Sequence, residues 1–147
     1  MIFQMLLGSA MIILTTVIQG GFTIAGIEML RRRVTRQVVA SDFRTTFLLS
    51  YFVLWLFLAT VLEVWAWAVL YLLIGALGSV EEAAYFSTAT FTTLGYGDLT
   101  LDEQWRLLSS FEGANGLLMF GWSTALIFAA VQKVYGYNRR FSQHSSK

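Results

Sequence analysis

Thr92-Thr93-Leu94-Gly95-Tyr96-Gly97-Asp98 lies between two long apolar segments, and the rest of the chain is read from it. Gly95 and Gly97 alternate with larger residues, so the backbone can adopt positive-φ conformations at every second position without a Cβ penalty. A strand built this way can turn successive carbonyl oxygens to one side instead of alternating them. Such a column, closed below by the Thr93 hydroxyl, can replace the water shell of a desolvated monovalent cation. Asp98 then places a carboxylate beside the outer mouth. The rival reading is a glycine-rich turn or phosphate loop. A bare Gly-x-Gly would favour that rival, but seven consecutive residues in a membrane setting do not.

The membrane setting comes from composition. Of 147 residues, 56% are hydrophobic and 13% charged, and the mean hydropathy is +0.63. Long charge-free runs with these values belong to the membrane class. Cysteine is absent, which removes disulfides, thiol catalysis and Cys-based metal sites. The lone histidine, His144, cannot build a metal site by itself. No nucleophile–base pair or metal cluster stands out, so an enzyme is not expected and no cofactor is implied. A net charge of +1 gives no reason to expect nucleic acid as a partner.

Residues 1–27 carry no charged side chain. At about 1.5 Å per residue this run exceeds the roughly 30 Å hydrocarbon core. A signal peptide would want positive charge before the apolar region. Here Arg31, Arg32, Arg33 and Arg36 follow it, which predicts a first transmembrane helix over 1–30. A polar connection over 31–44 leads, with Ser41 or Asp42 as N-cap, into a second helix from Thr45 to Leu77 that ends at Gly78. Trp65, Trp67 and Tyr71 suit an interfacial aromatic belt. Glu63 is either a proton-sensitive gate element or, the preferred reading, a structural carboxyl between helices. Ser79-Val80-Glu81-Glu82 matches a capping box, which predicts a short helix from Val80 to Thr92, too short to span a bilayer. Its C-terminal, partially negative end points at the base of the glycine stretch and favours a cation there. Thr100-Leu101-Asp102-Glu103 offers a second capping box before a last span over Leu107–Gln132. Residues 133–147 form a polar tail, whose Tyr135-Gly136-Tyr137 lacks the threonines and the second glycine.

Thr93-Leu94-Gly95-Tyr96-Gly97 resembles the selectivity filter of potassium channels, with Leu94 where Val or Ile is usual. The resemblance covers about 45–132 and implies a small bacterial-type, pore-loop channel with an extra N-terminal helix. The fold it implies is an all-α membrane protein: three transmembrane helices, a re-entrant pore helix and a filter loop, assembled as a potassium-channel-like homotetramer. The pore domain is then 45–132. The carbonyls of Thr93, Leu94, Gly95 and Tyr96, with the Thr93 hydroxyl, would bind K⁺, and Gly97 would shape the exit. Tyr96 would point off the axis against Tyr85 or Phe86, and these two residues with Thr92 would support the filter. Gly116 falls near the family's hinge glycine, with close packing the equal alternative. Ser123 and Thr124 would line a cavity. The family often has a carboxyl in the pore helix that bonds the aspartate at the filter's outer end. Ala89 occupies that position here, so that bond is not expected.

Sidedness follows from charge. Nine of the ten Lys and Arg lie in the first connection and the tail, and only Arg106 is on the other side. This predicts a cytoplasmic C-terminus, an N-terminus outside and a bacterial inner membrane location. Glu81, Glu82, Asp98, Asp102, Glu103 and Glu112 are then expected to make the entrance acidic. The short tail and the lack of an arginine-repeat helix lead to the expectation of a leak-like pore without a dedicated sensor. Three alternatives stay open: a weakly selective cation channel, a non-conducting subunit of a larger assembly, and regulation by an accessory subunit. The partners expected are other copies of the chain and the lipid bilayer.

Overall fold

Four helices follow one another: α1 (Ile2–Arg36), α2 (Asp42–Leu73), α3 (Val80–Phe91) and α4 (Arg106–His144). The computed structural model describes residues 1–36 and 42–144, among which there is no strand. Ser41, one of the two N-cap candidates, and Lys147 lie outside the described residues. The helices α1, α2 and α4 are each long and apolar enough to cross a membrane. At 12 residues α3 is not. The architecture is an all-helical membrane protein with three spans and one short helix.

Each boundary has a local cause. Ser79 is the N-cap of α3 in extended backbone, and its hydroxyl accepts from Glu82 N at 3.1 Å. The second helix stops earlier than Gly78. Gly75 takes φ +67°, with Gly75 N donating to Leu72 O at 3.1 Å and Ala76 N to Tyr71 O at 2.9 Å. That pair of bonds is a Schellman stop, which a glycine satisfies without a Cβ penalty. The Thr100–Glu103 box does not open α4. The amides of Trp105 and Arg106 both donate to Asp102 O, at 2.8 and 3.0 Å, and the helix begins at Arg106. At its other end α4 continues past Gln132 to His144.

The first helix lies against both α2 and α4. Gly8, Met11, Thr15, Gln19, Gly26 and Leu30 form its buried stripe, at the three- and four-residue spacing of one helix face. Two glycines let it dock closely. A Cβ at Gly8 would lie 2.7 Å from the Phe111 ring, and one at Gly26 2.9 Å from Phe52. Polar pairs then fix the register, which matters in lipid because burial of apolar surface supplies little force between helices. Asn115 Nδ2 donates to Thr15 Oγ1 at 2.8 Å, Gln19 Nε2 to Ser123 Oγ at 2.8 Å, and Trp55 Nε1 to Phe22 O at 2.9 Å.

The aromatic belt expected on α2 is not what the fold uses. Trp65 is exposed, but Trp67 and Tyr71 are fully buried. Trp67 stacks toward Tyr71 at 6.1 Å, and Tyr71 meets the edge of Phe86 on α3 at 5.3 Å. These rings, with Phe91 and Leu108, form the core against which the short helix is seated. Glu63 lies on the same buried face. Both of its carboxyl oxygens, and Trp67 Nε1 one turn further on, have no hydrogen-bond partner among the described residues.

Candidate functional site

The glycine stretch leaves the C-terminal end of α3 directly. Thr92 is the C-cap (φ −78°, ψ 0°), and its hydroxyl turns back to Thr88 O at 2.6 Å. Thr93 N donates to Thr90 O at 3.0 Å and Gly95 N to Ala89 O at 3.1 Å, so the glycine stretch is tethered to the last helical turn. From there φ is positive at every second residue: Thr93 (+60°), Gly95 (+54°) and Gly97 (+79°). A positive φ at every second residue is backbone that glycine adopts without a Cβ penalty. Gly95 and Gly97 were the expected positions. Thr93 was not, because a β-branched residue at positive φ is a backbone outlier that costs of order 1–3 kcal/mol. It is the only such non-glycine residue among those described. Strain of this kind persists where surrounding bonds over-determine the conformation, and here the ties to Thr90 and Ala89 do so.

The whole run from Thr93 to Asp98 is exposed. Tyr96 is 69% exposed and has no ring partner among the described residues. Its expected supports are engaged elsewhere. Phe86 is buried against Tyr71, and the Tyr85 hydroxyl donates to Asp98 Oδ2 at 2.7 Å. That bond holds the Asp98 carboxyl below its ordinary pKa. A phenol about a turn and a half before α3 ends thus makes the bond to Asp98 that Ala89 cannot. A cavity of about 370 Å³ opens between α3, the strand and α4, lined by Phe86, Thr90, Gly95, Leu99, Ser109 and Gly113.

Gly116 sits where α4 passes the base of α3. A Cβ there would lie 1.9 Å from Phe91 O, so only glycine admits this approach. The packing role left open beside the hinge in the sequence is thus the one with a visible contact. Ser123 does not face a cavity: it is 8% exposed and is bonded to Gln19 of α1. Thr124 is exposed, and its hydroxyl donates to Phe120 O at 2.8 Å. Glu112 is not at the entrance either. It is fully buried behind α3, with Tyr71 O–H donating to Oε2 at 2.6 Å and Ser87 Oγ 2.5 Å from Oε1.

A short capped helix that cannot span, followed by a strained glycine strand and framed by two spans, is a pore-loop arrangement. The sequence profile of the family described as "Ion channel" matches residues 50–133. The chain belongs to that ion-channel family. The matched segment takes in most of α2, all of α3 and the glycine stretch, and the membrane part of α4. It leaves α1 outside. Searches of curated proteins and of solved structures returned no match.

The channel has two features that the sequence did not reveal. The Glu112–Ser87–Tyr71 cluster joins three helices, and only tertiary packing brings those positions together. The buried stripe of α1 was legible in principle, because Thr15 and Gln19 are polar residues four apart on one face of an apolar helix.

Proposed function

We propose that four copies of the chain assemble around one axis into a potassium-selective channel. The observation that carries this reading is the alternation of positive φ at Thr93, Gly95 and Gly97 immediately beyond a buried, capped helix. The carbonyls of Thr93, Leu94, Gly95 and Tyr96 from four strands give the high oxygen number that a bare cation needs, whereas one strand gives one or two per level. The exposure of the strand in the single chain supports assembly. So do the unpartnered Tyr96 ring and the open cavity beside Gly95, since a neighbouring copy would cover them. The end of α3, carrying about half a negative charge, adds a sequence-independent preference for a cation at the filter base. Asp98 marks the outer mouth, with the C-terminus cytoplasmic by the positive-inside rule. The bacterial inner membrane is the setting in which this topology is read.

The test is uptake of K⁺ by liposomes containing only the purified chain, driven by an inside-negative potential. Uptake that continues until the potential is dissipated supports a self-sufficient pore. Absence of flux from correctly folded protein would favour the rival reading of a subunit that needs another pore-forming chain.

A further inference from the structure

The cluster behind the pore helix contains too few hydrogens for an ionised carboxylate. Ser87 Oγ lies 2.8 Å from Val64 O on α2 and 2.5 Å from Glu112 Oε1 on α4. A hydroxyl has one hydrogen, and a backbone carbonyl has none to give. If Ser87 donated to Glu112, Ser87 and the Val64 carbonyl would face each other at 2.8 Å with no hydrogen between them. One arrangement satisfies both contacts. Ser87 donates to Val64 O, and Glu112 donates from Oε1 to Ser87 Oγ, which requires the carboxylic acid. Tyr71 O–H completes the chain by donating to the other oxygen, Oε2, at 2.6 Å.

The surroundings agree with that count. Glu112, Ser87 and Tyr71 are all fully buried. The groups that face Glu112 are a phenol from α2 and a hydroxyl from α3, and on its own helix Asn115 is bonded to Thr15 of α1. The ion pairs among the described residues use Glu28 and Glu103, not Glu112. An unpaired carboxylate in such a place would be strongly unfavourable.

We infer that Glu112 acts as a neutral carboxylic acid that positions the pore helix, linking α4 through Ser87 to the backbone of α2 and through Tyr71 to its side chain. This attachment is at the middle of α3, while the Gly116–Phe91 contact fixes its end. Two points on one short helix determine its direction as well as its position. The strand beyond Thr92 inherits that direction. The claim about the hydrogen stands on the cluster alone, and the claim about the filter rests on the potassium-channel reading above.

Glutamine matches a carboxylic acid in donor and acceptor pattern, which makes the inference testable. In the infrared difference spectrum of wild type minus Glu112→Gln at neutral pH, a carbonyl band of a protonated acid is expected. Ser87→Ala is expected to move that band to higher frequency, because the acid loses its acceptor. Glu63 is unchanged in both comparisons and makes no bond to Ser87. Glu112→Gln is expected to fold, to keep the wild-type melting temperature, and to keep the K⁺/Na⁺ permeability ratio within about twofold. Glu112→Ala is expected to lower that ratio by about tenfold or more, as removal of a buried hydrogen-bond partner strands the others. Absence of the band overturns the inference, as does a Glu112→Gln protein that misfolds or is as damaged as Glu112→Ala. A wild-type protein with the band but no K⁺ preference overturns the positioning role and the channel reading together, leaving the acid itself established.

Discussion

Replacing Gly116 by alanine puts one methyl group where the structure has no room for it. The added Cβ would stand 1.9 Å from Phe91 O and 2.8 Å from Phe91 C, against ordinary contact beginning at 3.4 Å. The obstacle is backbone, so no rotamer change relieves it, and the two helices must separate by about 1.5 Å at this crossing to restore a normal carbon–oxygen distance. Phe91 is two residues before Thr93, and functional geometry of this kind tolerates displacements of only about 0.5 Å. Overpacking typically costs about 1–3 kcal/mol, with a backbone clash at the upper end. The helix propensity gained, about 1 kcal/mol for Gly to Ala, does not offset it. Two neighbours serve as controls. A Cβ at Gly113 would be 3.6 Å from Thr90 O, and at Gly121 nothing among the described residues lies within 4 Å. Thermal unfolding in detergent and K⁺ against Na⁺ flux in liposomes should therefore show Gly116→Ala destabilised and poorly selective, with Gly113→Ala and Gly121→Ala near wild type. A Gly116→Ala protein as stable and selective as the two controls would refute the close crossing and the filter's dependence on it.

The Tyr85 bond depresses the pKa of Asp98, so its contribution is present above the ordinary carboxylate range and is lost as pH falls through the lowered value. Acidifying the outer solution should then reduce K⁺ current only at low pH, and Tyr85→Phe should move that loss to higher pH. An unmoved profile would remove the tether. For the first helix, a double-mutant cycle with Thr15→Val and Asn115→Leu should give a coupling of about 0.6–1.7 kcal/mol in unfolding, the range for bonds between membrane helices. A coupling near zero would mean that apolar packing alone seats α1. Glu63→Leu removes two buried oxygens that have no partner among the described residues and should raise stability by about 1–3 kcal/mol. A less stable protein would show that Glu63 has a partner outside the single chain.

The pore unit was legible because its signals are local. Ser79 and Glu82 announce the start of α3 within four residues, three charge-poor runs announce the spans, and Gly95 and Gly97 announce backbone that other residues avoid. What was missed depends on bonds and packing that residue type alone does not specify. Gly75 and Gly78 are equally good helix stops by composition, and the bonds back to Tyr71 and Leu72 select the first. Thr93 takes a conformation its own side chain disfavours, so no propensity points to it. Glu112 reads as an entrance acid because charges near a helix end are usually solvated. Only the approach of Ser87 and Tyr71 turns it inward. Ser123 reads as a cavity residue from its expected place below the filter, whereas Gln19 of α1 lies against it and donates to its hydroxyl.

Reversal potentials of the purified chain in a planar bilayer, with K⁺ on one side and Na⁺ on the other, test most directly whether its backbone oxygens take the place of water around the ion. The proposed potassium-channel reading predicts a potential close to that of a membrane permeable to K⁺ alone, and its loss when Gly95 is replaced by alanine at φ +54°. A reversal potential near zero, meaning that Na⁺ crosses as readily as K⁺, would contradict the account.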